Sequence, residues 1–343
     1  MRKFTLTETD AESAQLLVRD IARHHSSVED EEFLRSVTVY AHEVPRALRS
    51  EISNYRLQET DSILIISGYP VDDERIGHTP AHWKNRKLPS PALEEEIFFM
   101  LCANLLGDTI AWATQQDGHL MHEIFPIKGH ENEQLGTGSR ELLTWHSEDA
   151  FHPLRNDYLG LMCLRNPDRV ETTYASVDEI DLPESVIRVL QQPRFPIHPD
   201  RSHLPKNRGA TKGLNSDAEI LLMRSYEWIE KLDAEPAQIS ILFGDSRRPY
   251  LRADPFFMDL DSLDAESRHA LESLISAIDR ALSGYALKPG EVLFIDNYRA
   301  VHGRRNFAAR FDGTDRWMKR LNIARDLRKS RDRRISAQSR TIH

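Results

Sequence analysis

The sequence predicts one α+β domain with a β-rich core, and three observations predict it. Helical periodicity crowds the first hundred residues. Strand signals dominate from Leu142 onward. No Pro/Ser/Gly linker and no internal repeat divides the 343 residues. With 40% hydrophobic and 29% charged residues, the chain has enough apolar material for a sizeable core.

Taken in order, 7–24 opens with the capping residues Thr7, Thr9 and Asp10 and continues with Ala11, Ala14, Leu16, Leu17, Ile21 and Ala22 at helical spacing. Further helices are expected over 29–42 and 45–52, then a buried strand over 62–66 stopped by Gly68 and Pro70. Pro91 suits the first turn of a helix over 91–106, where Ile97, Phe98, Leu101 and Leu105 share a face. Apolar strand runs follow at 158–164, 238–243, 291–295 and 319–323, with a helix over 265–282. The stretch 205–218 is polar, contains Gly and has little to bury, which suggests either disorder or a mobile lid, at about 200–220. The expected organisation is a mainly helical part over 1–110, the β-rich core over 111–325, and a basic tail over 326–343.

Charge and cysteine content exclude several functions. Asp+Glu outnumber Lys+Arg by 54 to 45, a net charge of -9, so general phosphate-backbone binding and a nucleic-acid partner are not expected. The basic residues over 316–340 read as a solvated tail. Cys102 and Cys163 lack a CxxC partner, which argues against structural zinc, and both sit in apolar runs as buried thiols do. No stretch has the ~20 apolar residues of a membrane span, and the first ten residues lack the apolar centre of a signal peptide. The expectation is a cytoplasmic protein, with homo-oligomerisation left open.

The chemistry concentrates in Leu143-Thr-Trp-His146-Ser-Glu148-Asp149-Ala-Phe-His152. On an extended strand His146 and Glu148, at i and i+2, face one centre while Ser147 and Asp149 face away. A third ligand must come from elsewhere, and His302 in Ile295-Asp-Asn-Tyr-Arg-Ala-Val-His302 is the best candidate. Two His and one carboxylate form the facial triad of non-haem iron sites, with positions open for a chelating oxo acid and O2. H-x-E alone is a weak signal. Arg316, fourteen residues beyond His302, strengthens it, because a guanidinium suits the far carboxylate of 2-oxoglutarate.

At this level the chain resembles the clavaminate-synthase-like branch of Fe(II)/2-oxoglutarate oxygenases, and within it the viomycin-type L-arginine β-hydroxylases and related free amino-acid hydroxylases. The matching stretches are Trp112-Ala-Thr-Gln-Gln-Asp-Gly118, Trp145-His-Ser-Glu-Asp-Ala-Phe151, Leu164-Arg-Asn-Pro-Asp168, Ile295-Asp-Asn-Tyr-Arg-Ala-Val-His-Gly-Arg-Arg305 and Phe311-Asp-Gly-Thr-Asp-Arg-Trp-Met-Lys-Arg320. The resemblance implies a jelly-roll (double-stranded β-helix) core with surrounding helices. It implies Fe(II) on His146, Glu148 and His302, with Arg316 and Thr173 (27 residues past His146) for the cosubstrate 2-oxoglutarate. It implies contacts to a free amino acid from Gln115 (α-amino group), Glu148, Arg320 (carboxylate), and Asp200 and Ser202 in Phe195-Pro-Ile-His-Pro-Asp200-Arg-Ser202. Asp254 falls on an acidic partner of an arginine guanidinium.

Two departures bear on the substrate. Those relatives carry two acids one residue apart where this chain has Asp254-Pro255-Phe256, and a carboxylate-contacting Ser is replaced near Gly136. The implied activity is hydroxylation of free L-arginine at C3 or C4, with citrulline, lysine or asparagine hydroxylation, desaturation or cyclisation as alternatives on the same scaffold. Glu148 favours hydroxylation over halogenation, since related halogenases lack this carboxylate. A non-catalytic metal- or amino-acid-binding protein and a zinc hydrolase are the rivals of other classes, and neither needs Arg316. His119, His122 and His130 have no triad spacing and read as ordinary polar residues. Asp149 and His152 read as supporting residues, Trp112 and Trp145 as core, and Arg304 and Arg305 as surface or interface charges.

Overall fold

Thr7 starts the first helix by accepting the Asp10 amide at 3.1 Å. In α1 (Glu8–Ala22) the buried Ala14, Val18 and Ile21 recur at three to four residues. Phe33, Val37 and Ala41 do the same in α2 (Glu31–Ala41), as do Leu48, Ile52 and Tyr55 in α3 (Arg46–Gln58), which runs further than 45–52. After the short α4 (Asp73–Ile76), α5 (Leu93–Asn104) is buried continuously from Glu95 to Ala103. A helix with no wet face must lie between layers. α1 and α2 cover one side of α5 and the large sheet covers the other.

The computed structural model describes residues 1–204 and 216–343, so the middle of the expected lid, 205–215, lies outside the described residues. The strands of the first half are β1 (Arg2–Thr5), β2 (Ile63–Ser67), β3 (Asp108–Trp112), β4 (His122–Ile124), β5 (Leu143–His146), β6 (Tyr158–Arg165) and β7 (Thr172–Ser176). Two small antiparallel pairs follow, β8 (Phe195–Ile197) with β9 (Ala237–Ile239) and β10 (Leu242–Gly244) with β11 (Pro249–Leu251). The last five are β12 (Ser283–Tyr285), β13 (Val292–Asp296), β14 (Ala300–Arg304), β15 (Trp317–Ala324) and β16 (Thr341–Ile342).

Among the described residues the large sheet has eight strands, ordered β1-β2-β13-β6-β15-β3-β16 with β4 also paired to β15. The small sheet is ordered β12-β7-β14-β5. Period-2 alternation sorts their side chains. Leu159, Leu161, Leu293, Ile295 and Met318 of the large sheet meet Tyr174 and Ala300 of the small one in a shared apolar layer. On the outer face of the small sheet Trp145, Ala175 and Val301 pack under α6 (Glu184–Leu190) and α8 (Ala265–Ala281). α7 (Ser216–Ala234) adds Ile229 to that layer. No helix among the described residues is long and apolar enough to cross a membrane.

Between α5 and the large sheet sits a buried charge cluster. Lys319 Nζ lies 2.7 Å from Glu96 and also contacts Glu123, which accepts the Trp317 indole N–H at 2.6 Å. Removing one partner of a buried ionic cluster is worse than never having built it. We expect Lys319→Met to strand two buried carboxylates and destabilise the fold by about 3–5 kcal/mol in chemical denaturation.

The structure corrects the sequence reading at several places. The 326–343 tail is packed onto the fold rather than free, although residues such as Arg328 and Lys329 remain exposed. Arg334 is buried and donates to the carbonyls of Leu327, Ala337 and Ser339, and β16 pairs in parallel with β3. The run 238–243 is broken into β9 and β10. Residues 216–220, at the edge of the expected lid, begin α7. β7 and β14 were not expected as strands, because Thr-Thr-Tyr-Ala-Ser and Ala-Val-His-Gly-Arg are short and mix polar residues with a glycine.

Candidate active site

β14 runs antiparallel to β5 with His302 directly opposite His146, and the ring centroids lie 4.4 Å apart. The chain leaves β5 after His146, yet Glu148 still reaches the same point. Its Oε2 lies 3.3 Å from His302 Nε2 and 3.7 Å from His146 Nε2. The three ligand-capable atoms lie within 4.8 Å of one another. His146 Nδ1 bonds the Thr144 carbonyl at 2.9 Å, which turns Nε2 inward. Asn297 clamps the Glu148 backbone, accepting its N–H at 2.7 Å and donating to its carbonyl at 3.0 Å. Arg320 Nη1 donates to Glu148 Oε1 at 2.6 Å, so Oε2 alone faces the histidines.

Burial opposes charge on all three groups. On His146 the Glu148 hydrogen bond and the Asp254 charge outweigh it, and the pKa rises to about 9. On His302 burial and the His146 charge act together and hold the pKa below the ordinary value. Burial of Glu148 is overcome by Arg320 and both imidazoles, which keep it well below the usual carboxylate range. Two imidazoles and a carboxylate turned to one point suit a divalent cation that would take the place of their shared proton.

The triad opens into a cavity of about 310 Å³. On one side Arg320 Nη2 donates to Gln115 Oε1 at 3.2 Å and to His122 Nδ1 at 2.7 Å. Burial and the Arg320 charge hold His122 neutral, as an acceptor must be. Gln115 Nε2 donates to Ser202 Oγ at 2.7 Å, and Asp200 accepts the Ser202 amide at 2.7 Å. Asp254 accepts the Phe256 amide at 3.2 Å, closing a turn, while it also lines the cavity beside Phe256. Burial raises the pKa of both acids, Asp254 to about 7, with each carboxylate's neighbours modulating the effect. Phe256 is 42% exposed, with the Arg201 guanidinium 5.3 Å from its ring centroid.

The opposite side of the cavity is basic. Arg316 is buried with no acceptor for its Nε–H among the described residues, and burial lowers its pKa to about 10. Thr172 and Arg304 line the same end.

The structure therefore gathers His146, Glu148, His302, Arg316, Gln115, Asp200, Ser202, Asp254 and Arg320 around one cavity. Thr173 is a correction. It does not line the cavity, and its hydroxyl lies beside Gly303 on the opposite face of β7. Thr172, one residue earlier, points inward, so the sequence spacing was off by one step of the strand alternation. Arg304 is likewise not a surface charge, being 3% exposed. Sequence reasoning also missed Asn297 and His203. His203 Nε2 bonds Asp149 at 2.9 Å and its Nδ1 bonds Thr114 at 2.6 Å, joining the segments that carry Glu148, Gln115 and Ser202. Asp149 makes this contact, and one to the Trp112 indole N–H, from a left-handed backbone at φ 49°.

Residues 228–322 match the family model described as taurine catabolism dioxygenase TauD, TfdA family. The enduracididine β-hydroxylase of Streptomyces hygroscopicus is 48% identical over 339 residues, 98% of each chain. The L-ornithine/L-arginine 3-hydroxylase of Catenulispora acidiphila is 42% identical over 100% of each chain. Among solved structures, the non-haem iron oxygenase OrfP in complex with Fe, succinate and (3S)-hydroxy-L-Arg superposes with a TM-score of 0.93 at 41% identity, covering 100% of both chains. OrfP has also been solved with Fe and α-ketoglutaric acid, with a TM-score of 0.88 at 40% identity and the same coverage.

Proposed function

Because this chain belongs to the TauD/TfdA family of non-haem iron, 2-oxoglutarate-dependent oxygenases, we propose that it hydroxylates free L-arginine at C3. Iron and 2-oxoglutarate would activate O2, the oxidant: one oxygen atom would end in the succinate formed as the oxo acid is oxidised and loses CO2, and the other would enter a substrate C–H bond as hydroxyl. His146, Glu148 and His302 hold the iron, and the inward-facing Nε2 and Oε2 atoms support that role. Arg316 and Thr172 take the far carboxylate of 2-oxoglutarate, supported by buried donors that have no described acceptor. Arg320 and Gln115, already bonded to each other beside Glu148, receive the substrate's α-carboxylate and α-amino group. The two-sheet arrangement supports a jelly-roll reading of the core. Two free buried cysteines support a reducing, cytoplasmic setting.

The observation that carries the substrate reading is the pair of carboxylates in the cavity that holds the triad, the buried Asp254 and the half-buried Asp200. Buried acids whose ionisation is suppressed call for a cation, and a guanidinium offers bidentate geometry. One relative is named for enduracididine and another for both L-ornithine and L-arginine, so the names share a cationic side chain, and a guanidino group in two of the three. Phe256 favours a second reading, enduracididine, a cyclic guanidino amino acid. A flat apolar face beside one acid suits a ring better than an open chain, and the 48%-identical relative bears that name.

The test is a succinate-release assay with Fe(II), ascorbate and 2-oxoglutarate against arginine, homoarginine, enduracididine, citrulline, ornithine and lysine. The expected result is coupled turnover with arginine and a C3 hydroxyl assigned by NMR. Turnover confined to enduracididine would transfer the assignment to the second reading. A neutral or simple amine side chain as the best substrate would sink both.

A further inference from the structure

Arg304 stands two residues past His302 on β14, so both side chains turn to the same face, into the cavity. Thr172 is its register partner across β7. Among the described residues no carboxylate holds Arg304 in a hydrogen bond or ion pair. Its Nη groups donate to two carbonyls, Ser139 at 3.5 Å and Glu141 at 3.2 Å, and its guanidinium carbon lies 5.1 Å from the Phe307 ring centroid. Three buried donors at this end lack an acceptor among the described residues: Arg304 Nε, Arg316 Nε and Thr172 Oγ1.

A buried donor left unpaired is costly, and two guanidiniums in one dry recess repel each other. Both penalties disappear if the recess is built around an anion. The keto-acid end of 2-oxoglutarate belongs at the metal, so the anion available here is its far carboxylate. We propose that Arg304 is a second cationic contact to that carboxylate, which is then gripped by two guanidiniums and the Thr172 hydroxyl rather than by one arginine. The inference rests on the reading of Arg316 and Thr172 given above. A purely structural Arg304 would need only its bonds to the Ser139 and Glu141 carbonyls, and would give no reason for the buried Nε that lacks an acceptor among the described residues.

The test is anaerobic calorimetric titration of the Mn(II)-loaded protein with 2-oxoglutarate and with 2-oxopentanoate, which lacks the far carboxylate. One charge-assisted contact is worth roughly 10- to 100-fold in affinity and two multiply, so the wild type is expected to prefer 2-oxoglutarate by about 10²- to 10⁴-fold. Arg304→Gln keeps an N–H donor near the Nε position but loses the charge and the reach to the Ser139 and Glu141 carbonyls. It is expected to weaken 2-oxoglutarate by about 10- to 100-fold, with 2-oxopentanoate changed less than about twofold. Arg304→Lys is expected to recover part of the loss. Equal losses for both oxo acids, or none for either, would overturn the proposal. So would a wild-type preference of only about 30-fold, a measurement that needs no variant to fold. Arg316→Gln separates this inference from its premise. If that variant keeps full 2-oxoglutarate affinity, the cosubstrate site itself is misassigned. If it loses affinity and Arg304→Gln does not, only the role of Arg304 fails.

Discussion

His302→Ala is expected to abolish both hydroxylation and uncoupled 2-oxoglutarate decarboxylation while the fold persists. The substitution takes one of three nitrogen or oxygen donors that lie within 4.8 Å of one another. Even hydrogen-bond partners of metal ligands are worth about 10- to 100-fold in affinity, so losing a ligand is expected to cost more than about 100-fold in Fe(II) binding. Little else is lost. The His302 Nδ1 has no described acceptor, and the strand pairing of β14 with β5 and β7 is carried by the backbone. Far-UV circular dichroism and the denaturation midpoint of the metal-free protein are therefore expected to stay near those of the wild type. Metal titration followed by succinate release reads the effect. Retained iron affinity with retained decarboxylation would move the metal to another residue set.

The triad was legible from residue type and spacing. His146 and Glu148 stand two residues apart, although β5 ends at His146 and a turn, not strand alternation, brings Glu148 round, and His302 and Arg316 are fourteen residues apart. What the sequence hid are relations between distant segments. Asn297 looks like a turn residue, and only the fold brings its amide to the Glu148 backbone. His203 is one histidine among fifteen, and nothing local marks it as the bridge between Thr114 and Asp149. Thr172 and Thr173 are chemically identical neighbours, so only the register of β7 against β14 decides which faces the cavity. The early helices were legible from their buried stripes. β7 and β14 were not, because a central strand whose inner face lines a polar site loses the apolar alternation that marks a strand. The terminal segment was misjudged for a related reason. A high density of arginine reads as solvated, yet Arg334 and Arg340 are buried among backbone carbonyls and Asp108.

Asp254→Asn is expected to raise the KM for arginine by about 10- to 100-fold with kcat changed far less, because a hydrogen bond to a charged group is worth about 1.5–3 kcal/mol and Asp254 is not one of the three metal-facing groups. Citrulline, whose ureido group is neutral, is expected to lose less, so the variant narrows the preference between the two. The pH dependence gives an independent check. Burial pushes the Asp254 pKa up to about 7, Asp200 pushes the same way, and the His146 charge opposes them. A guanidinium binds the ionised form. Below pH 7 binding must expel a proton, so arginine affinity is expected to rise about tenfold per pH unit up to 7 and then level off. The stability consequence has the opposite sign. A carboxyl whose folded pKa is raised costs the free protein stability increasingly from the unfolded pKa near 4 up to about 7, and the full cost persists above that. Asp254→Asn is thus expected to flatten the pH profile of arginine binding and to make the substrate-free protein more stable at pH 8. A variant that weakened arginine but kept the slope would place the titrating group elsewhere. A variant that lost both affinity and stability would make Asp254 a turn-closing residue through its bond to the Phe256 amide, and no more. The turn-closing bond is present in either case, so only the loss of affinity with a gain in stability identifies the carboxylate as one kept at a cost to the fold for the sake of a cation.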